Sequence, residues 1–246
     1  MKREAAIKMV ESTLHSRFDE VRYFEFTKNI FKKFNRINQS IISDSEYIRK
    51  IELLASYTDG NNRHIDIMVA NLHNASSLER ARIGLHKTIA KLLHNNERDA
   101  ALVAYVPPGG DWRLSLISIE YRLNQGNRIE QISTAKSNTF LVGENENCHT
   151  AQEQFVPVLE NDNCPTLNTI SEIFSKEKVT NEFYKKYLNL FLKLKEELDG
   201  IKNNDSNIRK EFEEKNVETQ LFSRKLLGQI IFLYFLQKKG WLGLKG

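Results

Sequence analysis

Pro107-Pro108-Gly109-Gly110 constrains the fold more than any other part of this sequence. Two prolines remove backbone donors and two glycines accept positive φ, so neither a helix nor a strand continues through them. The flanks, Ala100–Val106 and Trp112–Leu123, are apolar and rich in strand-forming residues, which predicts a hairpin. A second turn cluster, Thr58-Asp59-Gly60-Asn61-Asn62, separates Ile48–Tyr57 from Ile65–Leu72 and predicts another. A helical pattern precedes each hairpin. From Phe18 to Phe34, apolar residues at 18, 21, 24, 31 and 34, with Phe26 and Ile30, form one helix face, and Lys28, Lys32, Lys33 and Arg36 project from the other. Ser76 or Ser77 caps a helix through Glu79, Arg80 and Arg82 to about His94, ended by Asn95-Asn96. The order helix, hairpin, helix, hairpin predicts an α/β (mixed α+β) sheet with helices packed on it.

Beyond it, Phe140-Leu141-Val142 reads as a short strand and Cys148–Gln154 as a loop within a polar stretch. A helical region starts at Thr166. Glu182–Leu198 has helical spacing, Asn203–Ser206 breaks it, and a last helix covers about Val217 to Lys238. That helix is apolar on all sides between Leu226 and Leu236, the pattern of a helix with a cover. The expected organisation is a sheet domain over 1–165 and a helical connector over 166–246. No internal repeat is visible.

With 246 residues, 40% of them hydrophobic, the chain has material for a proper core, which excludes collagen-like and wholly disordered readings. Two cysteines, Cys148 and Cys164, make no disulfide framework. The N-terminus lacks the apolar core of a signal peptide, and the Leu226–Leu236 run is far short of the roughly 20 residues of a membrane span. A soluble cytoplasmic protein with no membrane contact is expected. Charge is uneven. Residues 1–50 hold 11 Lys/Arg against 7 Asp/Glu, residues 51–175 hold 10 against 15, and residues 176–246 hold 15 against 10. Basic ends around an acidic middle suit a polyanion, and equally suit solvated helix faces.

No phosphate-binding loop, dinucleotide-binding loop or nucleophile elbow occurs. The glycine loop and aromatic-tipped proline loop of a base methylase are missing too. Cys148, His149 and Cys164 lack the spacing and the fourth ligand of a zinc site, so no metal site is assigned. A metal-dependent nuclease needs acidic oxygens converging on Mg²⁺ and a lysine near the attacking water. Asp66 in the second strand, Asp111 at the start of the fourth and Glu120 within it are the candidate catalytic acids. Glu120 and Arg122 share a strand face, yet arginine stays protonated where that chemistry uses lysine, and a cross-strand ion pair explains them equally. Candidate DNA contacts are Lys28, Lys32, Lys33 and Arg36, Arg113 beside Trp112, and Lys185 and Lys186 in the aromatic helix around Phe183, Tyr184 and Tyr187.

The segment Phe222–Gly243 (FSRKLLGQIIFLYFLQKKGWLG) resembles the helix preceding the adenine-specific methyltransferase domain of type IIG restriction-modification enzymes. Asp99–Tyr105 with Asp111–Ser115, Phe140–Glu144 and Val179–Leu190 resemble the N-terminal region of the same family, so the likeness spans roughly Tyr47 to Gly246. The resemblance implies a nuclease-like domain plus helical connector, acting in phage defence. Its implied partners are double-stranded DNA and a methyltransferase and target-recognition part, in cis or as a separate subunit. Mg²⁺ is implied if the chain cleaves DNA, and S-adenosylmethionine would bind the methyltransferase part. The family's two acids and a lysine are not matched around Asp66 or Glu120, which points to a DNA-interacting half degenerate in cleavage. An active Mg²⁺-dependent endonuclease and a non-catalytic scaffold for a methyltransferase subunit are the alternatives.

Overall fold

A computed structural model of the chain describes residues 1–42, 45–75, 78, 82–124, 127–131, 138–238 and 241; at 82, 120–124, 127–131, 138, 176–182 and 238 it describes the backbone alone. The expected serine cap at 76–77, with Glu79 and Arg80, lies outside the described residues. No helix among those described is long and apolar enough to cross a membrane. Two compact units divide the chain between Lys176 and Glu177.

The first unit opens with α1 (Arg3–Leu14) and α2 (Glu20–Phe31). Ala6, Val10 and Leu14 fall four residues apart on α1, one stripe of a 3.6-residue period, and all are buried. The Asp19 side chain starts α2 by accepting the Arg22 N–H at 2.8 Å. Strands β1 (Asn35–Ile42), β2 (Ile48–Thr58) and β3 (His64–Leu72) form an antiparallel meander. Helix α3 (Arg82–Asn95) then crosses to β4 (Ala100–Val106), which runs parallel to β3 from Ile65↔Ala100 to Asn71↔Val106. The proline-glycine turn leads into β5 (Trp112–Ser118), antiparallel to β4. Among the described residues, strands β6 (Glu120–Asn124) and β7 (Asn127–Gln131) pair with each other, and β8 (Asn138–Val142) returns beside β5. The main sheet has the order β1-β2-β3-β4-β5-β8. Helices α4 (His149–Glu160) and α5 (Leu167–Ile173) complete this unit.

Each sheet face is covered. On one, α1, α2, α4 and α5 pack over Ile65, Ile67, Val69, Leu102, Leu114 and Trp112; on the other, α3 packs over Met68, Ala70, Val103 and Tyr105. β3 and β4 are therefore buried on both faces, which is why their sequences are nearly unbroken apolar runs instead of alternating ones. Each fully buried large side chain contributes about 1.5–3 kcal/mol. The buried Tyr23 hydroxyl donates to the Leu102 carbonyl at 3.1 Å, and the Trp112 indole N–H donates to Ser16 O at 3.1 Å.

Three expectations need correction. The strand expected over Trp112–Leu123 breaks at Ile119, whose N–H turns to Asp99 O, so Glu120 starts a separate two-stranded sheet. Cys148–Gln154, expected as a loop, leads into α4, where Ala151, Phe155, Val156 and Leu159 make a buried stripe despite Pro157. Val21, expected on the apolar face of α2, is 73% exposed.

In the second unit, α6 (Lys176–Asn204) is followed by α7 (Ser206–Glu214) and α8 (Thr219–Lys238). Asp205 in the expected breaker caps α7, accepting the Asn207 and Ile208 N–H groups at 2.8 and 3.2 Å. The Thr219 hydroxyl donates to Asp199 at 2.6 Å, fastening the start of α8 to α6. Further along α8, Ile230, Ile231, Phe232, Leu233, Tyr234 and Phe235 are all exposed. Among the described residues of the helix, Ser223 and Leu227 alone are buried.

Candidate nucleic-acid interface

Helix α2 buries Tyr23, Phe26, Thr27, Ile30 and Phe31, which turns its remaining face outward. It ends at Lys32, held at φ 61°, and the Lys33 N–H closes a tight turn onto Phe31 O at 2.6 Å before β1 begins. That reversal gathers side chains from the last turn of α2, the turn itself and the first residues of β1. Lys28, Lys32, Lys33 and Arg36 line one cavity of about 630 Å³. Phe24 and Phe34 form its apolar wall, meeting edge to face with ring centroids 5.4 Å apart. The Arg36 guanidinium lies over the Phe24 ring, 4.9 Å from its centroid, and its Nε donates to Asn38 Oδ1 at 3.2 Å. Lys32 Nζ donates to Leu159 O at 3.3 Å, and Lys28 pairs with Glu25 at 3.7 Å. Ser56 and Thr58, at the end of β2, add hydroxyls.

No carboxylate is among the described residues lining this cavity. The C-terminus of α2 contributes about half a negative charge, small against four cations, so the cleft is electropositive. Cations and two aromatic faces suit a phosphate backbone with nearby bases. Four of the seven expected DNA contacts thus come together. Arg113 does not join them: β5 lies three strands from β2 in the sheet, and Arg113 is half-buried opposite Tyr105. Trp112 points the other way, into the core. Lys185 and Lys186 are exposed on α6 of the second unit, near the Phe183–Tyr187 stack at 6.3 Å. Phe24, Phe34, Ser56 and Thr58 complete the cavity, and their apolar or strand spacing in the sequence carries no sign of it.

Asp66 lies behind Ser56, its register partner on β2. It is 1% exposed, and burial pushes its carboxyl up from the usual aspartate range against the opposing Ser56 hydroxyl, Arg98 and His64. Arg98 Nε stands 3.6 Å from its Oδ1, an oxygen with no hydrogen bond among the described residues. Asp66 borders a separate cavity of about 360 Å³ with Leu53, Met68 and Arg98.

The three candidate acids are not assembled as a triad. Asp66 is in register with Ala101 and, through it, Ile117, whereas Asp111 precedes β5 at the opposite end of the sheet, six residues or about 20 Å away. Asp111 acts locally instead. It accepts the Asn145 N–H at 3.2 Å and packs against Gly143, where an added Cβ would collide with its carboxylate. Glu120 lies at Asp66's end but in the β6–β7 sheet, and its side chain is outside the described residues. Among the described residues no three His, Cys, Asp or Glu side chains group to hold a metal ion. Asp66, buried and facing Arg98, does not by itself fit a Mg²⁺ centre. Cys148, beside His149, is buried near Glu11 while Cys164 is exposed, and both are free thiols.

Compared with protein families, with curated sequences and with solved structures, the chain finds no match in any of the three.

Proposed function

We propose that this chain is a DNA-interacting module: the nuclease-like domain and helical connector of a type IIG-like restriction-modification enzyme. The observation that carries the reading is the cleft lined by Lys28, Lys32, Lys33 and Arg36 with no carboxylate among its described lining residues. The order of elements, a helix, an antiparallel meander, a crossover helix and a parallel strand, is compatible with the nuclease-like part of the proposal. The cleft's residues recognise phosphates, which carry no base identity, so binding is sequence-tolerant at this surface.

Titrating short duplex DNA at several salt concentrations tests the proposal. Four phosphate contacts correspond to a log–log slope of roughly −3.6, and Lys33→Ala should reduce that slope by about 0.9. Arg36→Ala should weaken binding further by removing the guanidinium held on Phe24. Binding that is absent at low salt, or unaffected by these substitutions, defeats the reading.

A second reading, the scaffold, draws on a different observation. The exposed apolar side chains of α8 give a separately encoded methyltransferase subunit a surface to cover. Co-purification with such a subunit, lost in a Phe232→Glu variant that still binds DNA, distinguishes it from the cleft.

A further inference from the structure

We propose that β1 is a dimerisation edge, along which two copies of this chain pair antiparallel about a two-fold axis through Ser40 and join their six-stranded sheets into one. Strand β1 is the first strand of the sheet order and, among the described residues, is hydrogen-bonded on one side, to β2. The other side is a row of backbone donors and acceptors whose chemical complement is another extended strand. Natural edge strands are protected by lysines, prolines or bulges. Here the bulge falls between Arg36 and Gln39, with Asn38 at φ 57°, so protection ends where the regular ladder begins. From Ile37 to Ile42 the strand has neither a charge nor a proline, and Ile42 is 86% exposed.

A second copy fits this edge because the strand is complementary to itself. An antiparallel pair related by an axis perpendicular to the sheet keeps each face on its own side, so paired residues must have the same parity. The register centred on Ser40 satisfies this. It sets Ser40 against the partner's Ser40 and Gln39 against the partner's Ile41, with Ile42 beside the bulged Asn38. No like charges meet, and the exposed Ile42 gains cover. The dimer does not depend on the DNA reading; it would hold if the cleft bound nothing.

Cross-linking reads the register directly. In the whole 246-residue chain, Cys164→Ser removes the exposed native thiol while Cys148 stays buried. On that background Ser40→Cys should oxidise to a reducible dimer, twice 28.6 kDa, because directly opposed Cβ atoms lie within about 5.5 Å. Ile42→Cys should not, since its two copies would be four residues out of step, about 13 Å apart and beyond disulfide reach. Light scattering of the unmodified chain should show a concentration-dependent dimer. Ile42→Glu, an exposed position across from Lys50, which already pairs with Glu52, should return it to monomer with an unchanged circular dichroism spectrum. A monomer at every concentration overturns the proposal, as does Ser40→Cys cross-linking no better than Ile42→Cys. So does a dimer that survives Ile42→Glu but is lost in Phe232→Glu.

Discussion

Asp59 and Asp66 sit seven residues apart on one hairpin, both nearly out of contact with water, and their environments push them in opposite directions. Burial opposes ionisation of each. At Asp59 it is outweighed by N–H groups of Leu167, Arg63 and Asn61, at 2.8, 2.9 and 2.8 Å, and by the Arg63 charge, so its carboxyl is held below the usual range. At Asp66 burial prevails and the carboxyl is raised. The stability effects therefore have opposite signs. Asp59 contributes stability above the ordinary aspartate value of about 3.9 that is lost as pH falls through its lowered folded value. Asp59→Asn, which turns an amide N–H toward the Leu167 N–H, should cost about 1–3 kcal/mol at neutral pH, with the deficit shrinking in acid; denaturant midpoints at both pH values check it. The folded state holds the Asp66 proton longer than the unfolded state does, so stability falls as pH rises from the ordinary value through the raised one. Asp66→Asn should remove that slope and raise the midpoint at neutral pH, with Arg98, 31% exposed, turning to solvent. A lower midpoint in Asp66→Asn would show that the ion pair outweighs the burial of its charge.

At the scale of elements, the contrast is between β3–β4 and α8. Each holds a largely apolar run, but β3 and β4 are covered on both faces, whereas α8 buries only Ser223 and Leu227 among its described residues. Most of a helix's stability comes from packing, not from propensity. Amides of Ile230–Phe235 should therefore exchange with solvent far faster than those of Ile67–Val69 and Leu102–Ala104 in hydrogen-exchange measurements on the isolated chain. Equal protection would mean that α8 has found a cover. Helix α4 carries an opposite liability: Gln154 is 1% exposed and neither of its amide atoms has a hydrogen-bond partner among the described residues. Replacing it with leucine, of similar size, should raise the unfolding midpoint by an amount equivalent to about 1–3 kcal/mol.

For the whole molecule, the cleft and the β1 edge are consecutive pieces of chain. Arg36 lies four residues from Ser40, so the proposed two-fold would set the two Arg36 residues roughly 25 Å apart along the joined strands, with both clefts on equivalent sides. A two-fold pair of cationic clefts matches the pseudo-symmetry of duplex DNA. If dimer and DNA reading are both right, Ile42→Glu should weaken binding to long duplexes much more than to duplexes shorter than that span. Equal weakening would mean that each cleft acts alone.

The two hairpins, the helices around them and the helical C-terminal third were legible in the sequence because each is a local event. Pro107-Pro108-Gly109-Gly110 and Thr58–Asn62 cannot continue a regular element, and apolar spacing marks a helix or strand wherever it sits. β1 was not legible: as an edge strand (NRINQSII) it is exposed on most of its length and shows no buried pattern. Nor was α4, whose polar face and Pro157 disguised a buried stripe. Lys28, Lys32, Lys33 and Arg36 were visible as a basic run, but a run of charge is the same in a wetted helix and in a binding cleft. Only the reversal at Lys32, which brings Phe34 round, and the arrival of Ser56 and Thr58 from β2 made it a cavity. The separation of Asp66 from Asp111 was likewise decided by strand register, which depends on partners distant in the chain. Local chemistry sets where elements begin and end; which side chains meet is set by how those elements pack.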